Sequence, residues 1–420
     1  MKTSDTNKTT TNSKRDPSKN TLRRNSEKTL EKNQKDSGFG LRRYDNSDVF
    51  AGYHQNGLTN ALGIWMGTNG AKYMGQWKDS KFHGYGHLIN PDGSTYIGDF
   101  ENGQDTGIGK FLHNDNEFIG NFSNGNKSGL GELSLSKGQK LISGYYDNNF
   151  IKGFGIITIS SDEIYKYRGD FGGNNKLEGF GEEITATDFY KGQFYDSYRI
   201  GIGQSQSMAN NSTYFGDWSY DQKNGFGQEL YSNQDSYEGQ YKNNNKNGIG
   251  SYIHKDSNLR YTGNFKDNKR HGHGKLESDS YFYYGKFERD KPNGLGMLKN
   301  DTGSYFGEFK DGLRDGLGTE KADTYFYKGE WKADKPTGLG VYEIDGKIQV
   351  SSDEVGFDNK VAEVLVEIDM KFDLEKFIDN QLKIFDKIEK NIDSNKQAIA
   401  KEYEEINYDL EEAEEDFMKK

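Results

Sequence analysis

Along most of the chain, aromatic and glycine residues alternate with polar ones at a spacing of two. The stretch from Tyr73 to Trp77 (YMGQW) is typical, and a Gly-x-Gly segment follows it at Gly84 and Gly86. Residues two apart in an extended strand share one face of a sheet. The pattern therefore predicts β-strands in which two rings and one glycine lie on the same face.

The aromatic-x-Gly-x-aromatic element recurs at steps of 22 to 25 residues, which makes the middle of the chain one repeat array. Its central glycines are Gly75, Gly98, Gly120, Gly144, Gly169, Gly192, Gly216, Gly239, Gly263, Gly285, Gly307 and Gly329. The flanking residues are aromatic at every position but one, Ile142. They include Tyr73, Trp77, Tyr96, Phe100, Tyr167, Phe171, Tyr190, Phe194, Tyr214, Trp218, Tyr237, Tyr241, Tyr261, Phe265, Tyr283, Phe287, Tyr305, Phe309, Tyr327 and Trp331.

Short turn sequences separate the two elements of each repeat. Asn102-Gly103 and Asn124-Gly125 are typical of two-residue hairpin turns. Each repeat is therefore predicted to be a β-hairpin. Rings from one strand can lie over the glycines of its neighbour, so the glycines of both elements are expected to make room for the rings.

These residues resemble MORN repeats, whose consensus is close to Y-x-G-x-W-x-x-G-K-x-H-G-x-G. The resemblance covers residues 37–348, although the histidine before Gly-x-Gly occurs only as His83 and His271. It implies a mainly β fold: an elongated, twisted, single-layer antiparallel meander of about 13 MORN hairpins. A C-terminal α-helical or coiled-coil segment is expected to follow it.

The opposite face of the predicted sheet carries the middle residue of each Gly-x-Gly. Most of these residues are apolar: Tyr85, Ile108, Leu130, Phe154, Phe180, Ile202, Phe226, Ile249, Leu295, Leu317 and Leu339. A narrow apolar stripe with polar neighbours is suited to a protein partner. The alternative is that the chain's own loops or termini cover it.

Residues 349–420 are poor in glycine and rich in helix-forming residues. A seam at intervals of seven comprises Ile378, Phe385, Ile392, Ile399 and Ile406. Glu389 and Lys396 interrupt a second line beside it. Such heptads predict a homodimeric coiled coil or a docked helix, and residues 361–377 are expected to cap the last hairpin. The polar residues 1–36 are predicted to form a disordered basic tail.

Charge is unevenly distributed along the chain. Residues 1–36 carry a net charge of +5 and residues 349–420 one of −11, which leaves −5 for the array. A nucleic-acid-binding protein normally has a basic stripe, so no nucleic acid partner is expected. The chain has no cysteine and no apolar run of membrane-spanning length. We expect a cytoplasmic protein.

The motifs that suggest site chemistry are explained by the repeat. The Gly-x-Gly-Lys segments at Gly107 and Gly272 lie in predicted hairpins, whereas a phosphate loop needs a helix after its glycines. Repeat histidines such as His83 and His271 are expected to pack against rings. No catalytic set, metal site or cofactor site is predicted, and the chain is not expected to be an enzyme.

The resemblance implies a non-catalytic structural protein whose partners are other proteins of a large assembly. By similarity to radial spoke head proteins, the expected location is the cytoskeleton, in a ciliary axoneme. The alternative is a peripheral membrane protein that binds phosphoinositides. Membrane lipid is the less favoured partner because basic residues are scattered through an array of net negative charge.

Overall fold

The computed structural model describes residues 37–160, 164–351, 383 and 386–404. The predicted tail (1–36) and the proposed capping segment (361–377) lie outside the described residues. Within them the chain forms two compact units, described here as residues 37–186 (unit 1) and 187–404 (unit 2). The described residues contain 28 strands and one long helix.

The strands of unit 1 are β1 (Gly38–Arg43), β2 (Val49–Gln55), β3 (Leu58–Met66), β4 (Lys72–Lys78), β5 (Lys81–Ile89), β6 (Thr95–Glu101), β7 (Gln104–His113), β8 (Asn116–Ser123), β9 (Asn126–Leu135), β10 (Lys140–Asp147), β11 (Phe150–Ser160), β12 (Ile164–Phe171) and β13 (Leu177–Ile184). A short 3-10 turn, Gly173–Asn175, precedes β13. Each strand pairs antiparallel with the strand before it.

The strands of unit 2 are β14 (Asp188–Tyr195), β15 (Tyr198–Ser207), β16 (Thr213–Ser219), β17 (Gln222–Leu230), β18 (Ser236–Lys242), β19 (Asn245–His254), β20 (Leu259–Lys266), β21 (Lys269–Glu277), β22 (Tyr281–Glu288), β23 (Lys291–Asn300), β24 (Gly303–Lys310), β25 (Leu313–Ala322), β26 (Tyr325–Lys332), β27 (Lys335–Ile344) and β28 (Lys347–Ser351). Helix α1 comprises residues 386–404. The predicted mainly β fold, an antiparallel meander of hairpins followed by a C-terminal helix, is confirmed. The last strand extends the array to Ser351.

The two-residue turn within a repeat has positive φ at both positions. Asn102 and Gly103 have φ of 53° and 87°, which is the conformation of a type I′ turn. Side chains at these turns also connect successive hairpins. The Asn244 side chain accepts a hydrogen bond from the Lys223 backbone amide at 2.8 Å, and Asn268 does the same for Lys246. An asparagine of each of these turns is therefore hydrogen-bonded to the backbone of the preceding hairpin.

The core lies on one face of the sheet, where the repeat aromatics pack edge to face. We call this the ring face. Tyr214 contacts Trp218 of its own strand and Tyr241 of the next repeat, both at 5.2 Å between ring centroids. The same alternation continues through Tyr237 and Phe265. Edge-to-face pairs contribute about 0.5–1.5 kcal/mol beyond area burial, so the rings join neighbouring repeats.

Basic side chains cover these rings on their outer side. The Lys223 ammonium lies 4.7 Å from the ring centroid of Tyr214, and the Arg314 guanidinium lies 4.1 Å from that of Trp331. Cations over aromatic faces attract the ring quadrupole and shield the ring from water. A sheet of one layer can therefore bury Tyr237 completely.

The tyrosine hydroxyl explains why tyrosine is preferred at the first aromatic position. Tyr237 Oη donates to the Gln240 carbonyl at 2.9 Å, and Tyr261 Oη donates to the Asn264 carbonyl at 2.8 Å. The register shifts at this point of each strand, so the carbonyl has lost its regular ladder position. The hydroxyl supplies the missing donor.

The glycines make room for these rings, with one correction. A Cβ at Gly86 would lie 2.6 Å from Tyr73 Cζ, and one at Gly75 would lie 2.8 Å from it, so Tyr73 covers both. The first glycine of Gly-x-Gly does not lie under the ring. Gly84 has φ of 54° and forms a bulge, where a Cβ would meet Gln76 instead.

The side chain between the central glycine and the second ring stabilises that bulge. Asp217 accepts a hydrogen bond from the Phe226 amide at 2.6 Å, and Gln240 accepts one from the Ile249 amide at 2.9 Å. Burial raises the pKa of Asp217, although the Phe226 amide opposes this shift. The polar residues beside the predicted stripe thus satisfy backbone groups of the bulge.

The exceptional residue Ile142 is compensated by another isoleucine. A Cβ at Gly144 would lie 2.5 Å from Ile151 Cδ1, and Gly155 faces the same methyl group. Ile151 is fully buried. An aliphatic side chain from the next strand therefore fills the space that a tyrosine ring occupies in other repeats.

Candidate protein interaction surface

The predicted site aromatics all lie on the ring face and are buried. The most exposed of them, Trp218, keeps 7% of its surface accessible. They pack against one another and against the repeat glycines. The opposite face carries the middle residues of Gly-x-Gly, and apolar side chains there, such as Tyr85 and Ile108, are within reach of a partner. We call that side the stripe face.

In unit 2, helix α1 covers part of the stripe face. Ile388, Ile392 and Ile399 of the helix form one buried cluster with Ile202 and Phe226 of the sheet. Phe215, Ile249, Phe282, Tyr284, Met297 and Tyr403 pack against or belong to the same cluster. The hypothesis that a terminus of the chain covers the stripe is thus correct for this part of unit 2.

The helix crosses the strands, and its contacts are evenly spaced. Glu389 approaches Arg260 of β20 at 4.0 Å, and Lys396 Nζ contacts Glu238 of β18 at 2.7 Å. The Tyr403 ring then packs edge to face on Phe215 of β16, with centroids 5.0 Å apart. Seven residues of helix therefore correspond to one hairpin of the sheet.

The two spacings agree for a geometric reason. Seven helical residues rise about 10.5 Å, and the two strands of a hairpin occupy about 9.6 Å across the sheet. A side chain that fits one repeat is followed, one heptad later, by a side chain that meets the next repeat. A seven-residue seam is thus suited to this sheet as well as to a coiled coil.

Glu389 and Lys396, which interrupt the second line of the seam, are the residues that form ion pairs with the sheet. Within a coiled-coil seam they would be poorly placed, whereas here each meets an opposite charge. Exposed pairs contribute little stability, about 0–1 kcal/mol, but they favour one register of the helix. The coiled-coil interpretation is not confirmed.

Only two of the five predicted seam residues have side chains that the structure describes. Ile392 and Ile399 contact the chain's own sheet, with 3% and 6% of their surfaces exposed. Ile378, Phe385 and Ile406 lie outside the residues whose side chains are described. Homodimerisation through this seam stays a prediction.

One row of contact residues was not predicted from the sequence. Phe215 and Tyr284 occupy the position between the first ring and the central glycine, which points to the stripe face. This position is polar in some repeats, as at Glu238, and apolar in others. An apolar residue at this position was the sequence signal that could have identified the row.

A polar network borders the ring face in the middle of unit 2. The Glu229 carboxylate accepts hydrogen bonds from Lys223 at 2.5 Å, Tyr231 at 2.7 Å and Tyr241 at 2.8 Å. Burial alone raises the pKa of Glu229, but Lys223 and the hydroxyl donors outweigh burial and hold that pKa below its ordinary value. The network therefore favours the ionised carboxylate in the folded state.

This network predicts a pH-dependent contribution to stability. Because the folded-state pKa of Glu229 is depressed, its contribution is full above about pH 4.5 and is lost as the pH falls through the folded-state value. We expect Glu229→Gln to lower the free energy of unfolding at pH 7 and to have less effect at pH 3. Urea unfolding of both proteins at the two pH values measures this. An equal difference at both would contradict it.

Among the described residues, two clefts beside the turns are open to solvent. The larger has a volume of about 760 Å³ and is lined by residues of both charges, including Glu288, Arg289, Lys291 and Glu308. Among the described residues, no three His, Asp or Glu side chains converge in a way that could hold a metal ion. In the same part of the chain, no helix is long and apolar enough to cross a membrane.

Two solved structures show weak likeness. The TCP domain of SAS-4 (dCPAP) from Drosophila melanogaster, in complex with a proline-rich motif of Ana2 (dSTIL), is 12% identical over 36% of this chain and 84% of that chain, with a TM-score of 0.24. A catalytically inactive virginiamycin B lyase from Staphylococcus aureus, with quinupristin, is 9% identical over 65% and 95%, with a TM-score of 0.11. Neither bears on function.

No curated protein matches the chain. The MORN repeat model matches nine segments: 73–95, 96–117, 118–140, 214–236, 237–258, 261–281, 283–304, 305–323 and 327–345. Each matched segment contains a ring, glycine and bulge of the kind described above. The nine matches and the repeated hairpins support the assignment of the chain as a MORN-repeat protein, a class whose repeats serve protein interaction and scaffolding.

Proposed function

We propose that this protein is a non-catalytic scaffold that binds other proteins of a large assembly through the stripe face of its array. The observation that carries the proposal is the docking of α1 on that face, where isoleucines of a helix are buried on the middle residues of the repeats. The ring face is occupied by its own aromatics. MORN-repeat proteins are generally non-catalytic scaffolds, which agrees with this role.

The location we propose is the cytoskeleton, in a ciliary axoneme as part of a radial spoke or a related complex. The support for this location is the resemblance of the repeats to those of radial spoke head proteins. The alternative role is phosphoinositide binding at a membrane surface. It has less support, because the array has a net charge of −5 and anionic headgroups attract basic patches.

Detergent extraction of cells that express the full chain with a fluorescent tag separates the two roles. A scaffold of an axoneme is expected to stay with the cytoskeletal fraction after a non-ionic detergent removes the membranes, and to label axonemes in images. A lipid-bound protein would be released with the membranes. Release of the whole population would overturn the proposed location and favour the alternative.

A further inference from the structure

The stripe face of unit 1 carries an apolar patch that is open to solvent. Leu62, Tyr85 and Ile108 are middle residues of successive repeats, and 64%, 62% and 69% of their surfaces are exposed. Their equivalents in unit 2, Ile202 and Phe226, are buried at 2% and 5%. Equivalent positions in different repeats thus differ: the described part of the chain covers them in unit 2 and leaves them exposed in unit 1.

A second row runs beside the first, and its apolar members are interrupted by His87 and Lys110. Ile64 and Met74 are paired across β3 and β4, and Ile119 lies farther along the same face. Their exposed fractions are 47%, 54% and 48%. Exposed apolar side chains that are grouped on one face and bordered by polar residues mark interaction sites.

The occupied part of unit 2 shows what fits such a surface. There, a helix crosses the strands and places one heptad on each hairpin. Leu62, Tyr85 and Ile108 lie on β3, β5 and β7, one hairpin apart, so the same geometry holds. An α-helix with aliphatic residues every seven positions matches their spacing.

One position of the second row distinguishes this surface from the one that α1 covers. Glu238 of unit 2, which pairs with Lys396, stands between the first ring and the central glycine of its repeat. Met74 and Ile97 occupy the same position in unit 1. A lysine that takes the place of Lys396 would meet an apolar side chain at these positions instead of a carboxylate, and it would lose hydration.

We infer that the stripe face of unit 1 binds an α-helix of a partner protein, one with aliphatic residues on two adjacent heptad lines. This inference rests on the proposed scaffold function and names the chemistry of the partner. The chain's own α1 is a poor occupant, because Lys396, which meets Glu238 on unit 2, would face Met74 or Ile97 here. It is also held on unit 2.

Peptides of residues 386–404 test this inference. One has the natural sequence, and the other carries Glu389→Leu and Lys396→Leu, so that both lines are aliphatic. Fluorescence anisotropy with the full chain is expected to show saturable binding of the substituted peptide, at least tenfold tighter than the natural one. If neither peptide saturates, or if both bind equally, the inference is wrong.

Variants of the full chain locate the binding. Tyr85→Asp with Ile108→Asp is expected to weaken the substituted peptide at least tenfold. Ile348→Asp, at another exposed isoleucine, should leave binding unchanged. Urea unfolding checks that the variants are folded. If the double variant bound the substituted peptide as tightly as the wild type, the assignment of the site to the stripe face of unit 1 would be wrong.

Sedimentation of the same proteins tests a second copy as the occupant. The wild type and the double variant are expected to have the same mass. A dimer that Tyr85→Asp with Ile108→Asp dissociates would assign the patch to self-association and overturn the inferred partner. Peptide binding does not depend on location in the cell, so it can fail or succeed independently of the detergent experiment.

Discussion

Gly216→Val is expected to open its own hairpin and to leave distant repeats folded. Any Cβ at Gly216 would lie 2.8 Å from Tyr214 Oη and still closer to the backbone of β17 at Phe226 and Gly227. Backbone atoms cannot rotate away as a side chain can, so the strands must separate. Overpacking of this kind costs about 1–3 kcal/mol and occasionally more.

The damage should remain local, because hairpins in a repeat array contact only their neighbours. Hydrogen exchange of the folded protein is the measurement. Amides of β16, β17 and β18 are expected to exchange about a hundredfold faster, whereas those of β4 to β7 keep their protection. A uniform loss across both units would show that the array unfolds as one cooperative body and would contradict the prediction.

Gly173→Val is the matched control for Gly216→Val. A Cβ at Gly173 would meet no atom within 4 Å, and its φ is outside the left-handed region. We expect hydrogen exchange close to that of the wild type. If both valines had the same effect, the result would be explained by the loss of a glycine as such. It would not be explained by the lack of space for a side chain at Gly216.

Ile392→Asp combined with Ile399→Asp is expected to release α1 from the sheet. Both isoleucines are buried on the stripe face, and loss of each buried aliphatic side chain costs about 2–5 kcal/mol. The two ion pairs of the helix are too weak to hold it. Amides of residues 386–404 should then exchange like those of a free peptide, while β14 to β28 stay protected.

The same variant separates intramolecular docking from dimerisation. If α1 docks within its own chain, the sedimented mass of variant and wild type is the same, and a hydrophobic dye binds the variant better because Ile202 and Phe226 are uncovered. A wild-type dimer that becomes a monomer in the variant would show that the seam joins two copies. Ser394→Asp with Gln397→Asp, at exposed positions of α1, is the control.

Several features of the site could be predicted from the sequence, because they depend on neighbours along the chain. The hairpins follow from Asn-Gly turns and from the spacing of two between Tyr73, Gly75 and Trp77. The placement of Ile108 on the face opposite the rings follows from its alternation with glycines. Other features could not be predicted. Gly84 and Gly86 look alike in sequence, yet only Gly86 lies under a ring, because the register shifts between them and their neighbours.

The seam of seven shows the same limit for the helix. Its spacing indicated a helix that buries one line of isoleucines, but a coiled coil and a hairpin array accept nearly the same pitch. Glu389 and Lys396 looked like defects until Arg260 and Glu238 were seen opposite them. A residue more than a hundred positions away decides whether such a charge is misplaced.

By itself, the sequence determined the repeat, the hairpins, the ring-and-glycine core and the presence of a C-terminal helix, since each depends on residues within about one repeat. Only the tertiary structure decided which glycine forms the bulge, which isoleucine replaces a missing ring, and which repeats α1 covers. The physical reason is that the repeats offer many nearly equivalent places for a heptad helix. The choice among them depends on side chains that only the fold brings together.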